Sequence, residues 1–310
     1  MKNIAVIDAP SILGLRPSGV ERLPEALRGA GLVEKLGAFD AGKIVPPPYQ
    51  PHRDEQTRVL NSEGIRDFSL KLADAVQKQR EQNRFPLVLG GDCSIIIGCL
   101  LALRRQGKYG LFFIDGHADF YQPAASPTGE VADMDLAIVT GRGPEVLTNI
   151  GGKRPLVKDS NVVAFGYRDS EEQKRYGSQD ITATEIHAME LPEVKRLGVN
   201  QAASQALQGL LRNRIEGFWI HLDADVIDDA LMPAVDYRLP GGLHFEELSE
   251  VLSVLLASQK AVGMSIAILN PALDKDGSVV RAFVRSVVKG FEVTEVAAKP
   301  NEVRVDISQK

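Results

Sequence analysis

The sequence is short of the features that define several classes of protein. It has only two cysteines, Cys93 and Cys99, too few for the disulfide framework of a small secreted domain. Its longest apolar run, residues 95–103, is about half as long as a membrane-spanning helix. The apolar run at 4–7 is too short for a signal peptide. These absences predict a protein of the reducing cytoplasm without a membrane partner.

Positive charge is not in excess either. The chain has 36 Lys and Arg against 41 Asp and Glu, a net charge of −5, so we predict no nucleic-acid partner. Hydrophobic residues at 44% and charged residues at 25% are typical of globular proteins and exclude a disordered chain. The 310 residues contain no internal repeat and no long linker. We therefore predict a single domain over residues 1–310.

Short apolar runs alternate with longer amphipathic stretches along the chain. The runs that predict strands are 3–7, 86–89, 111–114, 162–165, 218–222 and 262–269. Several are almost wholly apolar, as expected for strands buried on both faces of a parallel sheet. Amphipathic stretches at 64–82 and 245–256 predict helices. This alternation predicts an α/β fold with a mostly parallel central sheet.

Three polar motifs begin where predicted strands end. They are Gly90-Gly91-Asp92-Cys93-Ser94, Asp115-Gly116-His117-Ala118-Asp119 and Asp223-Ala224-Asp225. Ligands of open α/β sheets bind beyond the carboxyl ends of the strands. We therefore expect the three motifs to converge on one crevice.

The composition of these motifs predicts a metal centre. An extended chain would hold Asp115 and Asp119 about 13 Å apart, but Gly116 allows the chain to curl around a common centre. Four crowded aspartates repel one another, and bound cations relieve that repulsion. Oxygen ligands with one imidazole favour Mn²⁺ over a structural zinc ion. Two ions about 3.5–4 Å apart, bridged by carboxylates and a hydroxide, form a centre that hydrolyses unactivated bonds.

In this order, the motifs resemble those of the arginase–agmatinase ureohydrolase family. The resemblance spans residues 15–290 and extends to the segment 223–229, to Gly241-Gly242-Leu243 and to Asn270-Pro271. It implies a three-layer α/β/α domain, two Mn²⁺ ions per chain and hydrolysis of the C–N bond of a small linear amidine or amide-like substrate by a metal-bridging hydroxide. It also implies a homo-oligomer, a trimer or a hexamer.

The resemblance also implies roles for individual residues. Asp115 and Asp223 would bridge the ions, with Cys93 and Asp119 completing one coordination sphere and His117 and Asp225 the other. Asp119 would in addition hold the hydroxide and take its proton. Asp92 and Asp228 would orient the ligands from behind. We expect the same of His221, which points to the same side of its strand as Asp223.

Four further positions resemble the family's substrate-binding residues. Ser126 and Thr128 match hydroxyl residues that hold a substrate carboxylate, and Glu171 matches an acid that binds an amino group. Tyr121 stands where a substrate-binding Asn is often found. Together they predict a small polar substrate.

Three positions depart from the family pattern. Cys93 replaces the family's usual histidine ligand, and because a thiolate is softer than an imidazole another divalent ion becomes an option beside Mn²⁺. Ala132 replaces a proton-shuttling histidine, and Ile268 replaces the acid that binds a guanidinium group. An apolar side chain cannot offset the desolvation of a buried guanidinium. Arginine and agmatine are therefore not the expected substrates.

The losses at Ala132 and Ile268 motivate an alternative, a non-catalytic homologue that binds metal or senses a ligand. A zinc amidohydrolase of the histone-deacetylase type fits less well, since the chain lacks the paired histidines that such a site needs. A two-metal phosphoesterase would need a Gly-Asn-His-Asp type of motif, which is also missing. The hydrolase interpretation leads because the set of potential ligands is retained.

Overall fold

Eight parallel strands form one sheet in the structure, a computed structural model that describes residues 3–297. The strands are β1 (Ile4–Ala9), β2 (Phe39–Lys43), β3 (Phe85–Gly90), β4 (Tyr109–Ile114), β5 (Val162–Phe165), β6 (His187–Met189), β7 (Gly217–Asp223) and β8 (Ala261–Ala267). Their order across the sheet is β2-β1-β3-β8-β7-β4-β5-β6, and every neighbouring pair is parallel.

Helices connect the strands and cover the sheet. They are α1 (Leu23–Gly29), α2 (Leu32–Lys35), α3 (Ser62–Glu81), α4 (Ile95–Gln106), α5 (Asp135–Val139), α6 (Glu145–Thr148), α7 (Ser170–Arg175), α8 (Leu191–Leu197), α9 (Val199–Leu211), α10 (Phe245–Ala257) and α11 (Ser278–Ala297). One group comprises α3 to α6, and a second joins α8 to α11 with α1 and α2. The result is the predicted three-layer α/β/α fold. The single-domain assignment stays a prediction, and residues 1, 2 and 298–310 of its range lie outside the described residues.

The six predicted strands and two predicted helices are present; β5 has the predicted bounds, and the other elements have shifted ends. All residues of β3 and β7 are buried, in agreement with their continuous apolar pattern. In α3 the predicted apolar face, which includes Phe68 and Leu72, is buried. The run at 262–269 was expected to be strand throughout, but β8 ends at Ala267 because Ile268 adopts a left-handed backbone with φ of 69°.

The edge strands β2 and β6 were not predicted as strands. Four of the five residues of β2 are exposed, and β6 is only three residues long. An edge strand buries little side-chain area, so it needs no continuous apolar run. The central order β3-β8-β7-β4 matters more for the site. It places the polar segments that follow these strands side by side, at the carboxyl ends of the parallel strands.

Candidate metal centre

The segment after β4 curls back on itself, as predicted. Asp115 Oδ1 accepts a hydrogen bond from the His117 N–H at 2.7 Å, and the Gly116 N–H donates to Asp225 Oδ1 at 3.0 Å. A Cβ atom at Gly116 would lie 2.6 Å from the Asp225 carbonyl oxygen, so only glycine permits this approach. Asp119 follows with a left-handed φ of 44°. The side chains of Asp115, His117 and Asp119 thereby place ligand atoms within 4.8 Å of one another.

The segment after β7 supplies the facing carboxylates. Asp223 Oδ1 accepts the Asp225 N–H at 2.7 Å, which closes a tight turn at the strand end. The Asp225 carboxylate lies 2.9 Å from His117 Nδ1, and Arg168 donates to the Asp225 carbonyl oxygen at 3.0 Å. The segment after β7, with Asp223 and Asp225, therefore contacts the segment after the neighbouring strand β4.

The segment after β3 brings the cysteine to the same place. The Cys93 thiol donates to Asp223 Oδ2 at 2.8 Å, and Cys93, Asp115 and Asp223 form a second group of ligand atoms within 4.8 Å. A Cβ atom at Gly91 would lie 1.7 Å from the Ser11 carbonyl oxygen, so the glycine is required for the close contact between this loop and the end of β1. The structure thus brings together all six residues predicted to hold metal.

Burial gives the cluster its electrostatic character. It raises the pKa of Asp115, Asp119 and Asp223, and mutual repulsion among the carboxylates raises each pKa further. Burial also raises the pKa of the Cys93 thiol, and neighbouring carboxylates act in the same direction. Without added positive charge, the cluster favours its protonated form.

The histidine is the exception. Burial alone would lower the pKa of His117, but the charge and hydrogen bond of Asp225 raise it to about 10. Burial would raise the pKa of Asp225, yet His117, the Arg168 guanidinium and the Gly116 N–H together lower it. An imidazolium therefore compensates part of the negative charge in this arrangement.

The cluster fits a centre for divalent cations. Asp115 Oδ2 is buried and has no hydrogen-bond partner among residues 3–297, which is costly for a carboxylate oxygen unless a cation meets it. Carboxylates dominate the donor set, with one imidazole and one thiol. The His117 side chain is 20% exposed, whereas Asp115 and Asp223 are almost fully buried, so the cluster is reached from the side of His117.

The residues predicted to orient the ligands have different surroundings. Asp92 accepts hydrogen bonds from the Ser11 hydroxyl at 2.8 Å and the Ser94 N–H at 2.9 Å, and so fixes the loop that carries Cys93. His221 is buried at the end of β7, with Nδ1 2.8 Å from the Ser265 hydroxyl. The Asp228 side chain accepts the Ala230 N–H within a turn at 2.9 Å.

The substrate-binding candidates lie on the loops beyond the cluster. The hydroxyls of Ser126 and Thr128 both donate to Asp133 Oδ2, at 3.1 and 2.8 Å. Burial raises the pKa of Asp133 to about 7 in spite of these hydrogen bonds. Tyr121 is buried with its ring edge-on to another tyrosine, and Glu171 is exposed on α7. These hydroxyls therefore contact an internal acid that the sequence analysis did not single out.

The two replaced positions have different surroundings. Ala132 is buried in the 3-10 turn Val131–Asp133, which precedes α5. The Ile268 N–H donates to the Gly91 carbonyl oxygen at 2.8 Å, which places Ile268 beside the loop that carries Cys93. A left-handed conformation is unusual for a β-branched residue and costs about 1–3 kcal/mol. The surrounding structure holds this apolar side chain at the edge of the site.

Sequence reasoning missed Asp135. It begins α5, and its carboxylate is buried without a well-formed hydrogen bond in the described structure, near the Leu136 N–H and the Asp119 carboxyl group. In sequence an acid before an apolar helix indicates an ordinary first-turn residue. Asp135 follows the motif at 115–119 by about fifteen positions, and at that distance the sequence does not indicate that the two are in contact. Only the fold shows that Asp135 lies beside the cluster.

The described part of the chain, residues 3–297, contains no helix that is long and apolar enough to span a membrane.

The fold and the site define a parallel α/β protein with an oxygen-rich cluster of potential metal ligands. The family model described as the arginase family matches residues 2–291. The arginase of Staphylococcus aureus strain MRSA252 is 31% identical over 301 residues, which cover 94% of this chain and 98% of that protein. The arginase of Bacillus caldovelox is 33% identical over 299 residues, and its native structure superimposes with a TM-score of 0.86 over 94% of this chain and 98% of that one. This chain belongs to the arginase family.

The fold is shared more widely. Formimidoylglutamase from Bacillus subtilis aligns over 96% of this chain and 89% of its own, with a TM-score of 0.72 at 18% identity. At that identity the likeness concerns the fold alone.

Proposed function

We propose that the protein is a metal-dependent hydrolase that cleaves a non-peptide C–N bond in a small amidine or amide-like substrate. Membership of the arginase family supports a hydrolase of the ureohydrolase type. The observation that carries the proposal is the convergence of carboxylate, imidazole and thiol ligands from the ends of β3, β4 and β7. Bound divalent ions would polarise the substrate and make a water molecule more acidic.

The side chains divide naturally into two groups around two shared carboxylates. Asp115 and Asp223 lie centrally and would be shared by both ions. His117 and Asp225, 2.9 Å apart, would hold the ion on the open side. Cys93 and Asp119 would hold the inner ion. We propose Mn²⁺ for the oxygen-rich part of this centre.

Asp119 is the proposed catalytic residue. It is 6% exposed, and its left-handed backbone turns its side chain back toward Asp115 and His117. There its carboxylate would take a proton from the attacking water and deliver it to the leaving nitrogen.

The replaced residues define the reacting end of the substrate. Ile268 offers no charge to a guanidinium, and Ala132 offers no proton to a leaving group. Ser126 and Thr128 already donate to Asp133, so they give little support to a substrate carboxylate. Together with Tyr121 and the exposed acid Glu171, these residues favour a substrate with an amide, or an amidine bound as its free base, at the metals and a polar or cationic far end.

The same replacements support a second candidate function, a metal-binding protein that senses a ligand without turnover. We further propose that residues 1–310 form one domain and that the protein is a cytoplasmic homo-oligomer, a trimer or a hexamer. The family resemblance supports the homo-oligomer, the match of one family model to residues 2–291 supports the single domain, and the low cysteine content supports the cytoplasmic location.

The test is a hydrolysis screen of the metal-loaded protein. Candidate substrates are formimidoyl compounds, other amidines, primary amides, arginine and agmatine, with urea, ammonia and amide products measured separately. We expect turnover of an amidine or amide. Asp119→Asn should lower the rate by about 10²- to 10⁴-fold, because it removes the proton acceptor and keeps the shape. Asp229→Asn is the matched control, since that half-buried loop acid pairs with Arg238 outside the cluster.

No product from any compound, with metal bound and the fold intact, would favour the sensing function. Turnover that Asp119→Asn leaves unchanged would contradict the role assigned to Asp119.

A further inference from the structure

Cys93 belongs to a second group of potential ligands on its inner side. Cys93, Asp135 and His221 place ligand atoms within 4.8 Å of one another, and all three residues are fully buried. They come from the β3 loop, the start of α5 and the end of β7. Asp135 and His221 are absent from the ligand set that the family resemblance implies.

The polar atoms of this group are poorly partnered within residues 3–297. His221 Nε2 is buried there without a hydrogen-bond partner, and neither carboxylate oxygen of Asp135 has a well-formed one. The polar neighbours of the Asp135 carboxylate include the Leu136 N–H and the carboxyl group of Asp119, which is itself an acid. Buried polar atoms are nearly always satisfied, so unpartnered atoms that face one another indicate a missing cation.

The His221 ring is held with Nε2 free. Its Nδ1 atom lies 2.8 Å from the Ser265 hydroxyl, which also accepts a hydrogen bond from Trp219 Nε1 at 2.9 Å. The ring stacks on Phe113 with centroids 5.0 Å apart and planes 14° apart. Histidines that ligate metals characteristically use their second nitrogen in a hydrogen bond of this kind, which fixes the ring.

We propose that Cys93, Asp135 and His221 bind a Zn²⁺ ion. A thiolate, an imidazole and a carboxylate form a zinc type of donor set, whereas the group around Asp115 and Asp119 is dominated by oxygen and suits Mn²⁺. His221 would supply the imidazole that the resemblance places at position 93. This inference rests on the proposed metal centre through Cys93, because the zinc ion would be the inner one of the two. It changes that proposal at one point: Asp135 and His221 would take the place beside Cys93 that the family resemblance gives to Asp119.

Zinc affinity of the metal-free protein tests the proposal without turnover. In competition with a chromophoric chelator, His221→Ala should weaken Zn²⁺ binding at least about tenfold. The same variant should leave Mn²⁺ binding on the open side of the cluster, at His117 and Asp225, nearly unchanged. His117→Ala is the matched control: it should weaken Mn²⁺ binding and leave Zn²⁺ binding nearly unchanged. Asp135→Asn keeps the side-chain volume and tests the same site if His221→Ala fails to fold.

X-ray absorption at the zinc edge, with one equivalent of Zn²⁺, separates ligation from indirect support. We expect one sulfur and one imidazole around zinc, with the imidazole lost in His221→Ala and kept in His117→Ala. The sulfur should disappear in Cys93→Ser and remain in Cys99→Ser. An imidazole that depends on His117 instead, or zinc without sulfur, would overturn the proposal. A wild-type zinc site in a protein without turnover would refute the proposed function and leave this inference standing.

Discussion

At the scale of single residues, Ile268 and Ala132 distinguish the proposed chemistry from that of a guanidinium hydrolase. Both are buried, and neither side chain offers a charge or an ionisable proton. Neither belongs to the cluster of potential metal ligands. We therefore propose that specificity is determined by a few side chains that can be exchanged independently of that cluster.

The double variant Ala132→His/Ile268→Glu should therefore gain activity on arginine. It supplies a carboxylate for the guanidinium and an acid for the leaving group, and general acid catalysis alone contributes about 10²–10⁴-fold. We expect urea release from arginine at least about tenfold above wild type, measured at saturating Mn²⁺. Ala132→His/Ile268→Gln is the matched control without the charge. An equal gain in that control, or no gain in a folded double variant, would contradict this account of specificity.

At the scale of elements, the site depends on loops that only particular residues allow. The loop after β3 passes so close to the end of β1 that Gly91 has no room for a Cβ atom. Asp92 fixes the same loop through Ser11 and Ser94. The position of Cys93 is thus set by backbone packing between two strands.

Gly91→Ala should displace this loop. The added Cβ would lie 1.7 Å from a backbone oxygen, so we expect a loss of about 1–3 kcal/mol in the free energy of unfolding, together with weaker metal binding. Gly29→Ala is the control, because nothing lies within 4 Å of its Cβ at the end of α1, and helical alanine is favoured by about 0.5–1 kcal/mol. Chemical denaturation of both variants, with and without metal, measures the difference. Equal stability of the two variants would show that the loop contact is unimportant.

The sequence predicts the elements that are buried and misses those that depend on distant neighbours. The central strands and α3 follow from their apolar patterns, and the three polar motifs follow from the strands that they end. Edge strand β2 lacks such a pattern because it is exposed. Asp135 could not be predicted, since its closeness to Cys93 arises from the packing of α5 against α4, the helix that follows Cys93. The sequence predicts the side of β7 on which His221 lies. It does not predict which ring nitrogen is hydrogen-bonded, because that depends on Ser265 in the neighbouring strand β8.

At the scale of the whole molecule, the cluster links stability to metal and pH. Burial raises the pKa of Asp115, Asp119 and Asp223 above that of the unfolded chain, so their contribution to stability is present at low pH and is lost as pH rises through the folded-state values. The pKa of His117, raised to about 10, acts in the same direction up to that pH. Metal ions supply the positive charge that the bound protons otherwise provide.

The metal-free protein should therefore lose stability as the pH rises from about 5 to about 8, because its folded state holds protons that the unfolded chain has already released. Over the same pH range the metal-loaded protein should lose less stability or gain stability, because ligands that have released their protons bind metal more tightly. Thermal denaturation of both forms across this range measures the effect. Metal-free protein that is more stable at the higher pH would contradict the electrostatic description of the cluster.

The most direct test of the central claim is the metal content of each chain, determined by plasma mass spectrometry after incubation with Mn²⁺ and Zn²⁺ and removal of free ions. We predict two ions per chain in the wild type, a loss of at least one in Asp223→Ala and no change in Asp229→Ala. A folded chain that retains no tightly bound ion, or one whose metal content is insensitive to Asp223→Ala, would contradict the claim that this cluster is a dinuclear metal centre.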